Sequence, residues 1–208
     1  MATLKNRPRF SVSEPLSEPT AGQPGNPIVL SDASGARIEL FVLSDDIIRV
    51  LVLPTGELRG PRTWSIAPGL EDVPLDGRDR RDTSGFGETV FSATSDAERL
   101  VVETAQVRLT VALDGGFCSW AIARDGAWHD VMHDRKTQAY NFGWWDDRVY
   151  HYVERQRGEM YVGLGERAGT LDRANQSYEM RNIDAMGYSA RSTDPLYKHI
   201  PFYVTWQP

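Results

Sequence analysis

Short runs in which every second residue is apolar recur along this chain, each broken after a few residues by a turn-forming pair. Ile38, Leu40 and Val42 share one face of ARIELFVL, and Ile48, Val50 and Val52 share one face of DIIRVLVL. Ser44, Asp45 and Asp46 between them suit a hairpin turn. The scheme repeats with Leu100 and Val102 in ERLVVET, then Val107, Leu109, Val111 and Leu113 in QVRLTVAL, before Asp114 and Gly115 supply another turn. FCSWAIA and AWHDVM flank Asp125-Gly126 as a third hairpin. No stretch of about 11 residues carries the three-and-four spacing of an amphipathic helix. Strands that are apolar on one face and polar on the other must stack their apolar faces. The expectation is therefore an all-β, antiparallel β-sandwich.

Two regions depart from this pattern. Residues 1–27 hold Pro8, Pro15, Pro19, Pro24 and Pro27, whose fixed φ and missing N–H groups disfavour a ladder, so an extended N-terminal arm is expected there. The sandwich is then expected over 28–208. Between 54 and 88 the chain is rich in Pro, Gly, Arg and Asp and reads as a long surface loop, with RDRRD as a solvated face.

Charge and cysteine content narrow the function classes. A net charge of -6 with no Lys/Arg cluster above the acidic background argues against a nucleic-acid partner. Cys118 is the single cysteine, which leaves no intramolecular disulfide and no multi-thiolate zinc site. No run of about 18 apolar residues is present, and MATLKNRPRF has no apolar segment behind its basic residues, so no membrane partner and a cytoplasmic location are expected.

Motif chemistry gives little by itself. Gly163, Gly165 and Gly169 match neither the dinucleotide fingerprint nor the P-loop, and read as backbone devices in and after a strand-like MYVGLG. His129 and His133 would share a helix face, but in a strand their backbones stand about 13 Å apart, so no metal site is expected. No Gly-x-Ser-x-Gly elbow supports a serine nucleophile, and no cofactor is expected. The aromatic run AYNFGWWDDRVYHYVERQRGEMY could present Trp144 and Trp145 to sugar rings, or fill the core or an interface.

From 161 onward four blocks stand in order: Gly163-Leu164-Gly165-Glu166, Asn182-Ile183-Asp184-Ala185, Asp194-Pro195-Leu196-Tyr197 and Ile200-Pro201-Phe202. This set resembles the amino-terminal domain of glycoside hydrolase family 31, the α-glucosidase and α-xylosidase family. The resemblance covers 159–204 strongly and the rest of the chain weakly. It implies a galactose-mutarotase-like sandwich packed on a catalytic (β/α)8 barrel. It also implies retaining hydrolysis of α-linked glycosides or oligosaccharides by two carboxyl groups about 5 to 5.5 Å apart.

The family places neither catalytic carboxylate in this domain, so no catalytic residue is assigned in this chain and the fragment alone is expected to be inactive. A family loop from this domain reaches the barrel mouth and contacts sugar hydroxyls through an aspartate. Asp184 best matches it, with turn capping as its bland alternative. Glu166 and Arg167 are expected to pair and support the loop, and Tyr188 and Tyr197 to orient it or line the barrel mouth. Two other readings stay open: a stand-alone carbohydrate-binding module using Trp144 and Trp145, and a sugar epimerase of mutarotase type with an acid/base pair.

Overall fold

A computed structural model describes residues 7–13, 21–22, 27–65, 68–69, 71–137, 139–142 and 149–207. Its regular elements among these are all strands, and no helix among them is long and apolar enough to cross a membrane. The backbone contacts fall into two compact units, Met1–Glu154 and Arg155–Pro208.

The first unit is built as the alternation predicts. One antiparallel sheet runs in the order Ser11–Val12, Ile28–Ser31, Arg37–Ser44, Ile47–Leu53. The other runs Ala127–His133, Phe117–Arg124, Val107–Ala112, Arg99–Glu103, Ser92–Ser95. Register aligns the apolar positions: Ile38 lies opposite Leu30 and Val52, while Val102 lies opposite Leu109 and Leu100 opposite Val111. Leu30, Ile38 and Leu40 from one sheet join Leu100, Val102, Leu109 and Val111 from the other in a single core. Each such side chain contributes about 1.5 to 3 kcal/mol on burial.

The hairpins follow their turn chemistry. Asp125 at φ 52 and Gly126 at φ 75 adopt the doubly left-handed turn that matches strand twist. In the turn joining Arg99–Glu103 to Val107–Ala112, the Thr104 hydroxyl accepts the Val107 N–H at 2.9 Å and donates to the Asp45 carbonyl, tying the hairpin tips of the two sheets together.

Within the proline-rich start, the stretch between Pro8 and Pro15 is free of proline, and there the chain pairs. Ser11 and Val12 stand opposite Ser31 and Leu30, and Phe10 enters the core at 3% exposure.

The RDRRD segment is only in part the solvated face expected of it, with Asp79 and Arg80 exposed and Arg78 and Arg81 partly covered. Alternation turns Glu39 away from Ile38 and Leu40 onto the outer face of the first sheet, where it is buried beside Phe41. Arg81 reaches across and grips the Glu39 carboxylate with two bonds of 2.8 and 2.9 Å. Arg49 lies over the Phe41 ring at 4.3 Å, and burial pushes its guanidinium below the ordinary arginine range. This sheet is covered on both faces, and the Arg-rich loop helps cover the outer one.

The second unit has one hairpin, Met160–Gly163 with Tyr203–Trp206. Residues 164–202 between these strands contain no further strand and form the loop that carries the candidate site.

Candidate functional site

The loop leaves its hairpin through a left-handed stretch, with Gly163, Leu164 and Gly165 at φ 131, 69 and 78. A Cβ on residue 165 would stand 2.6 Å from the Lys198 carbonyl oxygen, so glycine is required by close approach as well as by φ. The Leu164 and Glu166 N–H groups donate to the Phe202 and Lys198 carbonyls at 2.8 and 2.9 Å, which zips both ends of the loop together.

Arg167 is the hub. Its side chain is 0% exposed. Its guanidinium donates to the carbonyls of Leu164 at 3.2 Å and Glu179 at 3.1 Å, to the Asp194 carboxylate, and to the Met180 sulfur. The Tyr178 ring lies 4.8 Å away. Asp194 therefore takes the place of the expected partner Glu166, which is exposed and held through its backbone.

Asp184 is exposed and makes no hydrogen bond or ion pair among the described residues. Its neighbours are tied down on both sides. Asn182 Oδ1 accepts the His199 N–H at 2.8 Å, the Ile183 N–H donates to the Leu196 carbonyl at 3.4 Å, and the Tyr197 hydroxyl donates to the Ala185 carbonyl at 2.7 Å. Asn182 ties the loop across to His199, and the Asp184 carboxylate caps no turn among the described residues. Beyond it the chain turns at Gly187, φ 70, and exposes Met186 at 88% and Tyr188 at 55%. Tyr188 meets Tyr197 edge-on, with ring centroids 6.3 Å apart.

This arrangement suits binding. A carboxylate accepts hydrogen bonds from two adjacent hydroxyls, and its charge strengthens each. Among the other loop carboxylates, Asp194 is engaged by Arg167, Asp172 by the N–H groups of Ala174 at 2.9 Å and Tyr161 at 3.2 Å, and Glu179 lies 3.7 Å from Arg181, while Glu166, like Asp184, is exposed. Those two N–H bonds hold Asp172 below the usual carboxylate range.

A polar cluster in the first unit has no counterpart in the sequence reading. Asp134 is buried; its carboxylate accepts the Cys118 N–H at 2.8 Å and lies 2.7 Å from His151 Nε2. Tyr140 stacks on His151 at 4.6 Å and points its hydroxyl at the Cys118 sulfur. Burial, and secondarily the Asp134 charge, push the Cys118 thiol up to about 12, so it stays protonated and inert near neutral pH. The cluster pins the hairpin Tyr140–Phe142 with Val149–His151 to the neighbouring sheet. Asp134 and His151 meet because residues 133–135 pair with 152–154, Asp134 opposite Val153, which no local pattern announces. Trp144 and Trp145 lie outside the described residues.

Similarity to known proteins bears on this geometry. The family described as glycosyl hydrolase 31 N-terminal galactose mutarotase-like domain matches residues 37–208. An α-glucosidase of Saccharolobus solfataricus is 45% identical over 47 residues, which are 23% of this chain and 7% of that protein. Among solved structures, a Flavobacterium johnsoniae GH31 dextranase complexed with glucose superposes with TM-score 0.65 at 22% identity, over 93% of this chain and 22% of its own. A cycloalternan-forming enzyme from Listeria monocytogenes, in complex with a pentasaccharide substrate, gives TM-score 0.58 at 15% identity, over 96% of this chain and 17% of its own. At these identities the two structures share the fold. The chain spans less than a quarter of each of these proteins.

Proposed function

The chain belongs to the glycosyl hydrolase 31 N-terminal galactose mutarotase-like domain family, and from that membership we propose that it serves a retaining α-glycosidase as the sandwich that supports the catalytic barrel and presents Asp184 to the substrate. The observation that carries this reading is the exposed, unpartnered Asp184 carboxylate set between three anchored neighbours. The backbone that carries the group is already set before a sugar arrives, so binding has only the short Asp184 side chain left to order. The reacting carboxyl pair belongs to the barrel, and Asp184 acts by holding hydroxyls next to the cleaved bond.

The barrel partner is supported by a separate feature of the second unit. Val204 and Trp206 occupy one face of the hairpin, with Ile200 and Phe202 just before them, and all four are exposed. Apolar surface gathered in this way is the usual mark of a protein contact. The α linkage, the absence of a membrane partner and the cytoplasmic setting are parts of the same proposal, and fractionation of the producing cells tests the last two.

Kinetics test the role of Asp184 directly. In the enzyme that contains this chain, Asp184→Ala is expected to lower kcat/KM on aryl α-glucoside or α-xyloside by roughly 10- to 100-fold, the loss of one or two charge-assisted hydrogen bonds. The melting temperature should hardly move, because the side chain has no structural partner. Unchanged kinetics with short and long substrates would remove Asp184 from the site, and robust turnover by the 208-residue chain alone would sink the accessory reading.

A further inference from the structure

The end of the sandwich where the two hairpin tips meet carries an open groove of about 770 Å³, remote in sequence from the Asp184 loop. Its wall includes Asp45, Glu88, Phe91, Ser92, Glu103 and Trp128. The Thr104 hydroxyl bridging to the Asp45 carbonyl fixes the two tips. Glu103 holds the Arg108 guanidinium, and Arg108 lies 4.4 Å over the Trp128 ring, so the indole is clamped in place. Asp45 and Glu88 have no partner for their carboxylates among the described residues.

We propose that this groove is a second sugar-binding site, taking a neutral oligosaccharide of a few hexose units; the choice of sugar rests on the glycosidase reading above. The volume falls within the range of small-molecule sites. Trp128 and Phe91 supply apolar ring surface for the C–H faces of a pyranose, and the two unpartnered carboxylates accept bonds from its hydroxyls. The same carboxylates repel uronic acids and other anions. A cationic ligand meets Arg108 already resident on the indole, so like charge opposes it there. Clamping Trp128 beforehand lowers the ordering cost of binding.

Calorimetric titration of the protein, as its gene encodes it, with maltotetraose and isomaltotetraose tests this. Asp184→Ala serves as the background, which weakens the loop site, and the groove is read as the part of the binding that Trp128→Ala and Glu88→Gln weaken. Saturable binding is expected, weakened about tenfold or more by Trp128→Ala, equivalent to one aromatic contact, and several-fold by Glu88→Gln. Absence of binding in the Asp184→Ala parent overturns the proposal, as does binding that a polyamine displaces and Trp128→Ala leaves intact. If Trp128→Ala fails to fold, Glu88→Gln decides on an exposed side chain, and an unchanged affinity there overturns the proposal. The kinetics of Asp184→Ala report on the loop separately: groove binding with unchanged kinetics removes the loop reading and leaves the groove standing.

Discussion

The two units of this chain are held together by different chemistry. In the first, seven aliphatic side chains from two sheets are essentially removed from water. In the second, the buried apolar residues among those described are only Ala185 and Leu196, beside the buried charged residues Glu159 and Arg167, and the Arg167 side chain is 0% exposed. Burial of hydrocarbon is non-directional and scales with area, so it stabilises a sheet pair without fixing any one atom tightly. Hydrogen bonds from a planar guanidinium to fixed acceptors demand position. A loop organised around Arg167 has little core to rely on but holds its backbone in one course, which is what presenting Asp184 requires.

Replacing the central residue of each unit sharpens the contrast. Leu109→Ala is expected to have the largest effect, about 3 to 5 kcal/mol in urea unfolding, because a fully buried Leu leaves both lost transfer energy and a cavity. Arg167→Ala should follow at about 3 kcal/mol, with Asp194 keeping 27% exposure and so retaining some hydration. The amides of Glu166, Gly169 and Ile183, bonded across the loop, should then exchange faster by orders of magnitude. An Arg167→Ala protein that keeps their protection would show that something other than the guanidinium holds the loop, and the contrast between the units would fall.

The same difference explains what the sequence disclosed. The sandwich was legible because period-two alternation at Ile38, Leu40, Leu100, Val102, Leu109 and Val111 follows directly from the pleat, and the turns at Asp45-Asp46 and Asp125-Gly126 carry their own signals. The outer face of the first sheet was not legible. Nothing local distinguishes an Arg that grips a buried Glu39 from one in solvent, and the partners lie 42 residues apart. In the second unit no periodicity exists to read. Only the ordered blocks around Gly163, Asn182, Asp194 and Ile200 pointed to its family, and they placed Asp184 without showing that Asn182 and Tyr197 anchor its neighbours or that Arg167 turns to Asp194.

A smaller effect is expected from the glycine that starts the loop. Gly165→Ala imposes a left-handed conformation costing about 1 to 2 kcal/mol, and its methyl would meet the Lys198 carbonyl at 2.6 Å. Gly126→Ala in the sandwich also has positive φ but nothing within 4 Å, so it should pay the conformational term alone. Comparing their melting temperatures separates strain from contact. Equal shifts would mean that the loop yields at Lys198 and is less tightly organised than its bonds suggest.

The smallest expected effect is a pH dependence, and it distinguishes the units by what one carboxylate fastens. Asp96 accepts the N–H groups of Glu98 and Arg99 within its own turn, whereas Asp172 accepts those of Ala174 and, eleven residues away, Tyr161. These bonds hold both acids below the ordinary aspartate range. A carboxylate lowered in the folded state stabilises the fold above its unfolded value and loses that contribution as pH falls through the folded one. Stability from both is therefore full above about pH 4 to 5 and fades in more acid solution. Protonating Asp96 loosens a turn that the core still holds; protonating Asp172 detaches the loop from the Met160–Gly163 strand. The Tyr161 amide should accordingly lose exchange protection on acidification before the amides of Arg99–Glu103 do. Asp172→Asn, which keeps an accepting oxygen but cannot titrate, should flatten that acid dependence. If Tyr161 in Asp172→Asn still loses protection over the same pH range, the fastening of the loop lies elsewhere.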